Sequence, residues 1–120
     1  MAWIRNAALA FAIFGIFTPT ILMAADLNGL LQDYQTTSDP LRKVLLENMV
    51  ENIERGVSVA NRALVANNQA PLYCLPEKLH LTGPQILDMM RRMVQSTAPL
   101  GVLEPGLAVM ITVRDTFPCK

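Results

Sequence analysis

The chain has 120 residues, of which 52% are hydrophobic and 17% charged, and ten Lys plus Arg balance ten Asp plus Glu. That length sets one small domain with a modest core. Balanced charge without a basic block excludes a nucleic-acid footprint, and the chain has no internal repeat or low-complexity tract.

The N-terminus carries Arg5, then the uncharged apolar run at residues 7–17, then Pro19 and the small residues Ala24 and Ala25. That order is the n-, h- and c-region of a secretory signal peptide, so residues 1–25 are expected to be removed on export and residues 26–120 to form the mature domain. Cleavage is expected after Ala25, although Met23 is larger than the ideal residue at the −3 position. The alternative is an uncleaved anchor, because residues 7–25 are uncharged and nearly long enough to span a bilayer. Loss of Arg5 leaves the carboxylates one in excess of the cations. Contact with the membrane is expected only through the signal peptide during export.

Four helices are expected in the mature chain. Leu27, Leu30, Leu31 and Tyr34 recur at helical spacing and mark the first. Asp39 is a candidate N-cap for the second, with Pro40 at the first helical position, where a missing N–H costs nothing. This helix runs from about 40 to 66. Its expected core face is Leu45, Met49, Ile53, Gly56, Val57, Ala60 and Leu64, and Glu47, Glu51, Glu54, Arg55, Ser58, Asn61 and Arg62 are expected to face water. Gly56, Ala60 and Ala63 form a small-residue ridge that suggests close approach of a neighbouring helix. Asn67 or Asn68 is suited to the left-handed C-terminal position.

Pro71 and Pro76 make residues 72–81 a connecting segment around Cys74. The third helix starts at Thr82, where Thr82 and Gln85 read as a capping box. Its core face is expected to hold Ile86, Leu87, Met90 and Met93, with Met89 at the edge. The stretch "APLGVLEPG", residues 98–106, is a break. The segment from Pro105 to Thr116 is rich in β-branched residues, but it has no hairpin partner and exceeds the usual strand length, so a fourth helix is expected, with Leu107, Met110, Ile111 and Phe117 as its stripe.

The chain contains two cysteines, Cys74 and Cys119. In an oxidising compartment two lone cysteines pair more often than they stay free, so a Cys74–Cys119 disulfide is expected to hold the terminal helix on the core. The alternatives are two buried thiols or a zinc site. The latter is short of ligands, since His80 is the sole histidine.

"YCLP" at residues 73–76, a Thr-initiated amphipathic helix from Thr82 through Gln85, Pro99 in a break, and "FPC" at residues 117–119 together resemble the Rap/Tai family. These are small secreted α-helical proteins named for immunity against peptidoglycan amidase effectors of type VI secretion systems. "IERGV", residues 53–57, resembles a stretch of the family's preceding helix. Many members carry a second cysteine pair; Tyr34 and Val50 lie near those positions here, so both partners are absent together. The linker also lacks the His and Arg residues often found there.

The resemblance implies a periplasmic protein that binds and occludes a cognate amidase effector, without catalytic residues, metal or cofactor, and with a homodimer as a further expectation. No Gly-x-Ser-x-Gly nucleophile elbow is present, and a thiol nucleophile is excluded by a disulfide. The candidate partner-binding residues are Leu79 and His80 in the cysteine loop, Met89, the linker residues Leu100, Val102 and Leu103, and Arg114, which interrupts the last apolar stripe. Leu100, Val102 and Leu103 have the competing reading of a loop that covers the core. A small exported envelope chaperone without a cognate toxin is the alternative function.

Overall fold

The computed structural model describes residues 26–120; the expected signal peptide lies outside the described residues. Four α-helices follow in chain order: α1 Leu27–Thr36, α2 Pro40–Ala66, α3 Gly83–Ser96 and α4 Pro105–Thr116. A 3-10 turn, Ala98–Val102, replaces the irregular break expected between α3 and α4. No strand occurs among the described residues, and none of their helices is long and apolar enough to cross a membrane.

The helix boundaries follow local chemistry. Asp26 caps α1 by accepting from the Gly29 N–H at 2.9 Å, and Asp39 caps α2 by accepting from Leu41 N–H at 3.0 Å, with Pro40 next to it. At the far end of α2, Asn68 takes φ 56°. The Gln69 N–H reaches back to the Leu64 carbonyl at 2.9 Å and the Asn68 N–H to that of Val65 at 3.0 Å. That is a Schellman ending, with an asparagine in the left-handed position. Thr82 precedes α3, and its N–H donates to Gln85 Oε1 at 2.9 Å. Glu104 caps α4 through Leu107 N–H at 2.6 Å.

The core gathers Leu27, Leu30 and Leu31 of α1, Ile86, Leu87 and Met90 of α3, and Ala108, Val109 and Val113 of α4 around Val50 of α2, with Tyr73 and Leu81 closing it. Burying each large aliphatic side chain contributes on the order of 1.5–3 kcal/mol before entropy is counted. The expected α4 stripe is rotated: Ala108, Val109, Thr112 and Val113 are buried, whereas Leu107 is exposed. The first seven residues of this helix, Pro105 to Ile111, are all apolar, so periodicity carries little phase there, and the smaller residues occupy the closest approach. Thr112 donates its buried hydroxyl to Met93 Sδ at 3.5 Å.

The second helix corrects the sequence reading further. Leu45 and Met49, expected in the core, are exposed, and Gly56 and Ala60 also face outward. Val50 is 0% exposed, and Glu54, expected in water, is 6% exposed. No atom lies within 4 Å of where a Gly56 Cβ would stand, so no neighbouring helix of the described chain approaches the small-residue ridge.

The polar groups on the inward face of α2 have specific partners. Tyr34 of α1 donates its hydroxyl to Glu47 Oε1 at 2.7 Å. Glu51 Oε2 accepts from the Gly83 N–H, the first of α3, at 3.2 Å. That position satisfies a helix-terminal donor and complements the positive end of the α3 dipole. Gly83 permits the contact: a Cβ there would lie 2.7 Å from Glu47 Cα and closer still to its carbonyl oxygen. Asn61 clamps the cysteine loop twice, donating to the Tyr73 carbonyl at 2.9 Å and accepting from the Leu72 N–H at 2.6 Å. An extended loop lying on a helix has no ladder to satisfy its backbone, so the helix face supplies side-chain partners.

Cys74 and Cys119 form the expected disulfide, with Cα atoms 4.9 Å apart. Beside it, the Cys74 N–H donates to the Phe117 carbonyl at 2.9 Å. The bridge encloses α3, the 3-10 turn and α4 within one covalent ring.

Candidate functional site: the proline-bounded turn and the adjoining surface

Pro99 lies in the first positions of the turn between α3 and α4, and Pro105 opens α4 beyond it. Two contacts seat it on α1. The Leu27 N–H, an unpaired donor at the start of α1, bonds to the Leu103 carbonyl at 2.9 Å. Gly101 is buried against the Asn28 side chain, and a Cβ there would stand 2.5 Å from Asn28 Cγ. Leu103 turns inward and packs on the core. Val102, between Gly101 and Leu103, is left 71% exposed. Both readings of this linker are therefore realised in neighbouring residues: Leu103 covers the core, and Val102 is presented to solvent by a turn held on both sides.

The other candidates divide in the same way. Leu79 and Met89 are partly buried and packed against the core. Leu100 is half-buried, and His80 is exposed. Arg114 is exposed and its Nε donates to Asp115 Oδ1 at 2.9 Å. The structure thus packs Leu79, Met89 and Leu103 each against the core and leaves His80, Val102 and Arg114 on the surface.

Sequence reasoning missed two features. One is a groove of about 590 Å³ between α1 and α3, floored by Leu31, Tyr34 and Leu87 and rimmed by Asp88, Arg91 and Gln95. Its concavity arises from the packing of two helices distant in sequence, and no local motif announces it. Arg91 and Arg92 both pair with Asp88 on the rim, and the Arg91 hydrogen bond holds the Asp88 carboxyl below the usual range.

The other is the polar cluster beneath the cysteine loop. Burial pushes the Glu54 carboxyl above the usual range, opposed by Arg55; Glu51 raises it further, while His80 and Arg62 favour the charged form. Burial also raises the Tyr73 phenol, with Ser58 pulling the other way. The Tyr73 hydroxyl has no hydrogen-bond partner of good geometry. Among the described residues no group of three or more His, Cys, Asp or Glu side chains is arranged to hold a metal ion.

The fold and surface define a small all-α domain, stapled by one disulfide, with a rigidly framed apolar projection. Comparison with protein families, with curated proteins and with solved structures finds no match to this chain.

Proposed function

We propose that this chain is a periplasmic immunity-type protein that binds a secreted peptidoglycan amidase of a type VI secretion system and occludes its active-site groove. The observation that carries the reading is Val102, 71% exposed on a turn whose neighbours are clamped to α1. An inhibitor of this kind needs no catalytic residue. It needs an apolar anchor presented on a backbone that loses little freedom on binding. Pro99 and Pro105, the Leu27–Leu103 hydrogen bond and the disulfide supply that order. The resemblance of residues 73–119 to the Rap/Tai motifs supplies the partner class.

The test is co-purification. The chain is expressed with its leader in a Gram-negative periplasm and used as bait in cells carrying the native secretion system. The expected outcome is recovery of a peptidoglycan amidase at fixed ratio, with inhibition that Val102→Asp weakens by at least about tenfold, the scale of a modest anchor. Recovery of no amidase, or inhibition indifferent to Val102→Asp, rejects this reading of the turn.

Buried Glu54 near His80 favours a second reading, an acid-responsive envelope chaperone. The same experiment distinguishes it: a chaperone recovers many unrelated envelope proteins, and more of them at acid pH.

A further inference from the structure

The two helices that wall the groove run antiparallel. Tyr34, near the end of α1, bonds to Glu47, whose backbone lies against Gly83 at the start of α3. Asn28, near the start of α1, lies against Gly101 in the turn that follows α3. The groove therefore runs along α3 from Pro84 to Gln95 and ends beside the turn. That stretch of helix rises about 16 Å, the length of about five residues of extended chain.

We infer that the groove holds an extended segment of a protein partner, one that carries a carboxylate beside an aliphatic side chain. Charge selects the carboxylate. Asp88 pairs with both Arg91 and Arg92, so this wall has one cation in excess. Of the two arginines, Arg91 lines the groove. Its side chain is 45% exposed, and it can turn to a ligand while Arg92, 2.8 Å from Asp88, keeps that carboxylate paired. The exchange strands no charge, and a guanidinium can hold a carboxylate through two parallel N–H donors. At the other end Lys43 lies 5.6 Å from the centre of the Tyr34 ring. The carboxylate beside it, Glu47, is already engaged by Tyr34. An anionic ligand thus meets a cation at each end.

The amides on the walls select a peptide. Gln35 on α1 and Gln95 on α3 both line the groove and are exposed. A side-chain amide can donate to a carbonyl and accept from an N–H, and extended chain has both groups to satisfy. The molecule already uses this pairing on its own backbone, where Asn61 of α2 accepts from the Leu72 N–H and donates to the Tyr73 carbonyl. A fatty acid would satisfy Arg91, but its tail offers nothing to either glutamine.

The floor sets the size of the apolar side chain. Leu31 and Leu87 are packed into the core beneath, while the Tyr34 ring is half-buried and Pro84 is exposed. A ring and a proline suit one aliphatic side chain laid across them, not an aromatic one inserted between the helices.

The inference does not rest on the amidase reading, because the groove shares no residue with the turn. The test is selection of random displayed heptapeptides on the full chain, exported with its leader from a Gram-negative host. Enriched peptides are expected to place Asp or Glu next to Leu, Ile or Val. A synthetic peptide of enriched sequence is expected to bind at least about tenfold more weakly to Arg91→Glu, and to the double variant Gln35→Ala with Gln95→Ala. The same loss is expected when the peptide's carboxylate is replaced by an amide. Val102→Asp is expected to leave its affinity unchanged. All the substituted side chains are exposed, so circular dichroism spectra should match the wild type. Failure to enrich any peptide overturns the inference, including where decanoate binds the chain instead. An enriched set without Asp or Glu, or affinity indifferent to Arg91→Glu, overturns it equally. Affinity lost with Val102→Asp but kept with Arg91→Glu would place the peptide on the turn and reject the groove.

Discussion

Removing the Cys74–Cys119 bridge tests the role of the covalent ring most directly. The two cysteines are 45 residues apart. In the chain-entropy treatment, closing a loop of that length withdraws about 4 kcal/mol of conformational freedom from the unfolded chain. A domain of about 95 residues has an unfolding entropy near 0.2 kcal/mol per kelvin, so each kcal/mol shifts the midpoint by about 5 °C. The double variant Cys74→Ser with Cys119→Ser is therefore expected to melt about 20 °C below the wild type. The native fold keeps the Cys74–Phe117 backbone bond, so little of the loss arises from new exposure in the folded state. The denaturant m-value is expected to rise, because the unlinked chain exposes more surface when unfolded. Thermal and urea unfolding followed by far-ultraviolet circular dichroism measure both quantities. A midpoint shift below about 5 °C, with an unchanged m-value, would refute the argument that the ring acts through the unfolded chain.

Two further perturbations probe the inward face of α2. Asn61→Ala removes both bonds that hold the cysteine loop, at 2.9 and 2.6 Å, and is expected to cost about 2 kcal/mol, near 1 per bond. A loss under about 0.5 kcal/mol in urea unfolding would show that water replaces the amide without penalty. Glu54→Gln tests the buried carboxyl. A raised folded pKa means that the native state holds its proton more tightly, so this contribution is full below the unfolded value of 4.5 and is lost as pH rises through the folded value. The variant should therefore lose less stability than the wild type as pH is raised from 4.5 towards neutrality. Asp33 and Asp88, lowered by Arg42 and Arg91, act in the opposite direction but are exposed to solvent screening and are common to both proteins. Identical pH profiles for the two proteins would sink the assignment to Glu54.

What could be read from sequence followed the range of the interaction. Asp39 with Pro40, Thr82 with Gln85 and Asn68 each act within a few residues, and the structure places them at the expected ends of α2 and α3. The disulfide was legible because a cysteine count of two leaves one pairing, and the N-terminal pattern led to the expectation of an oxidising compartment. The phase of α2 was not legible. Aliphatic residues occur on both of its faces, and the deciding contacts are made to segments far along the chain: Tyr34 to Glu47, Gly83 to Glu51 and Leu72 to Asn61. A rule that sends carboxylates to water cannot know that an α3 N-terminus and a loop backbone need acceptors there. In the linker, the wheel had no purchase at all. A short turn with adjacent residues facing opposite ways has no period, so Val102 and Leu103 could not be separated before their contacts were seen.

The bond from Leu27 N–H to the Leu103 carbonyl has a practical corollary. It fixes the start of α1 next to the residue that follows Val102. Anything joined ahead of Asp26, whether a leader, an affinity tag or a fluorophore, departs from beside the projecting turn. A bulky fusion there would shield Val102 by its own volume. A small environment-sensitive dye at the same point would instead light up or dim as that valine is covered, making the start of α1 a natural place from which to watch a ligand arrive.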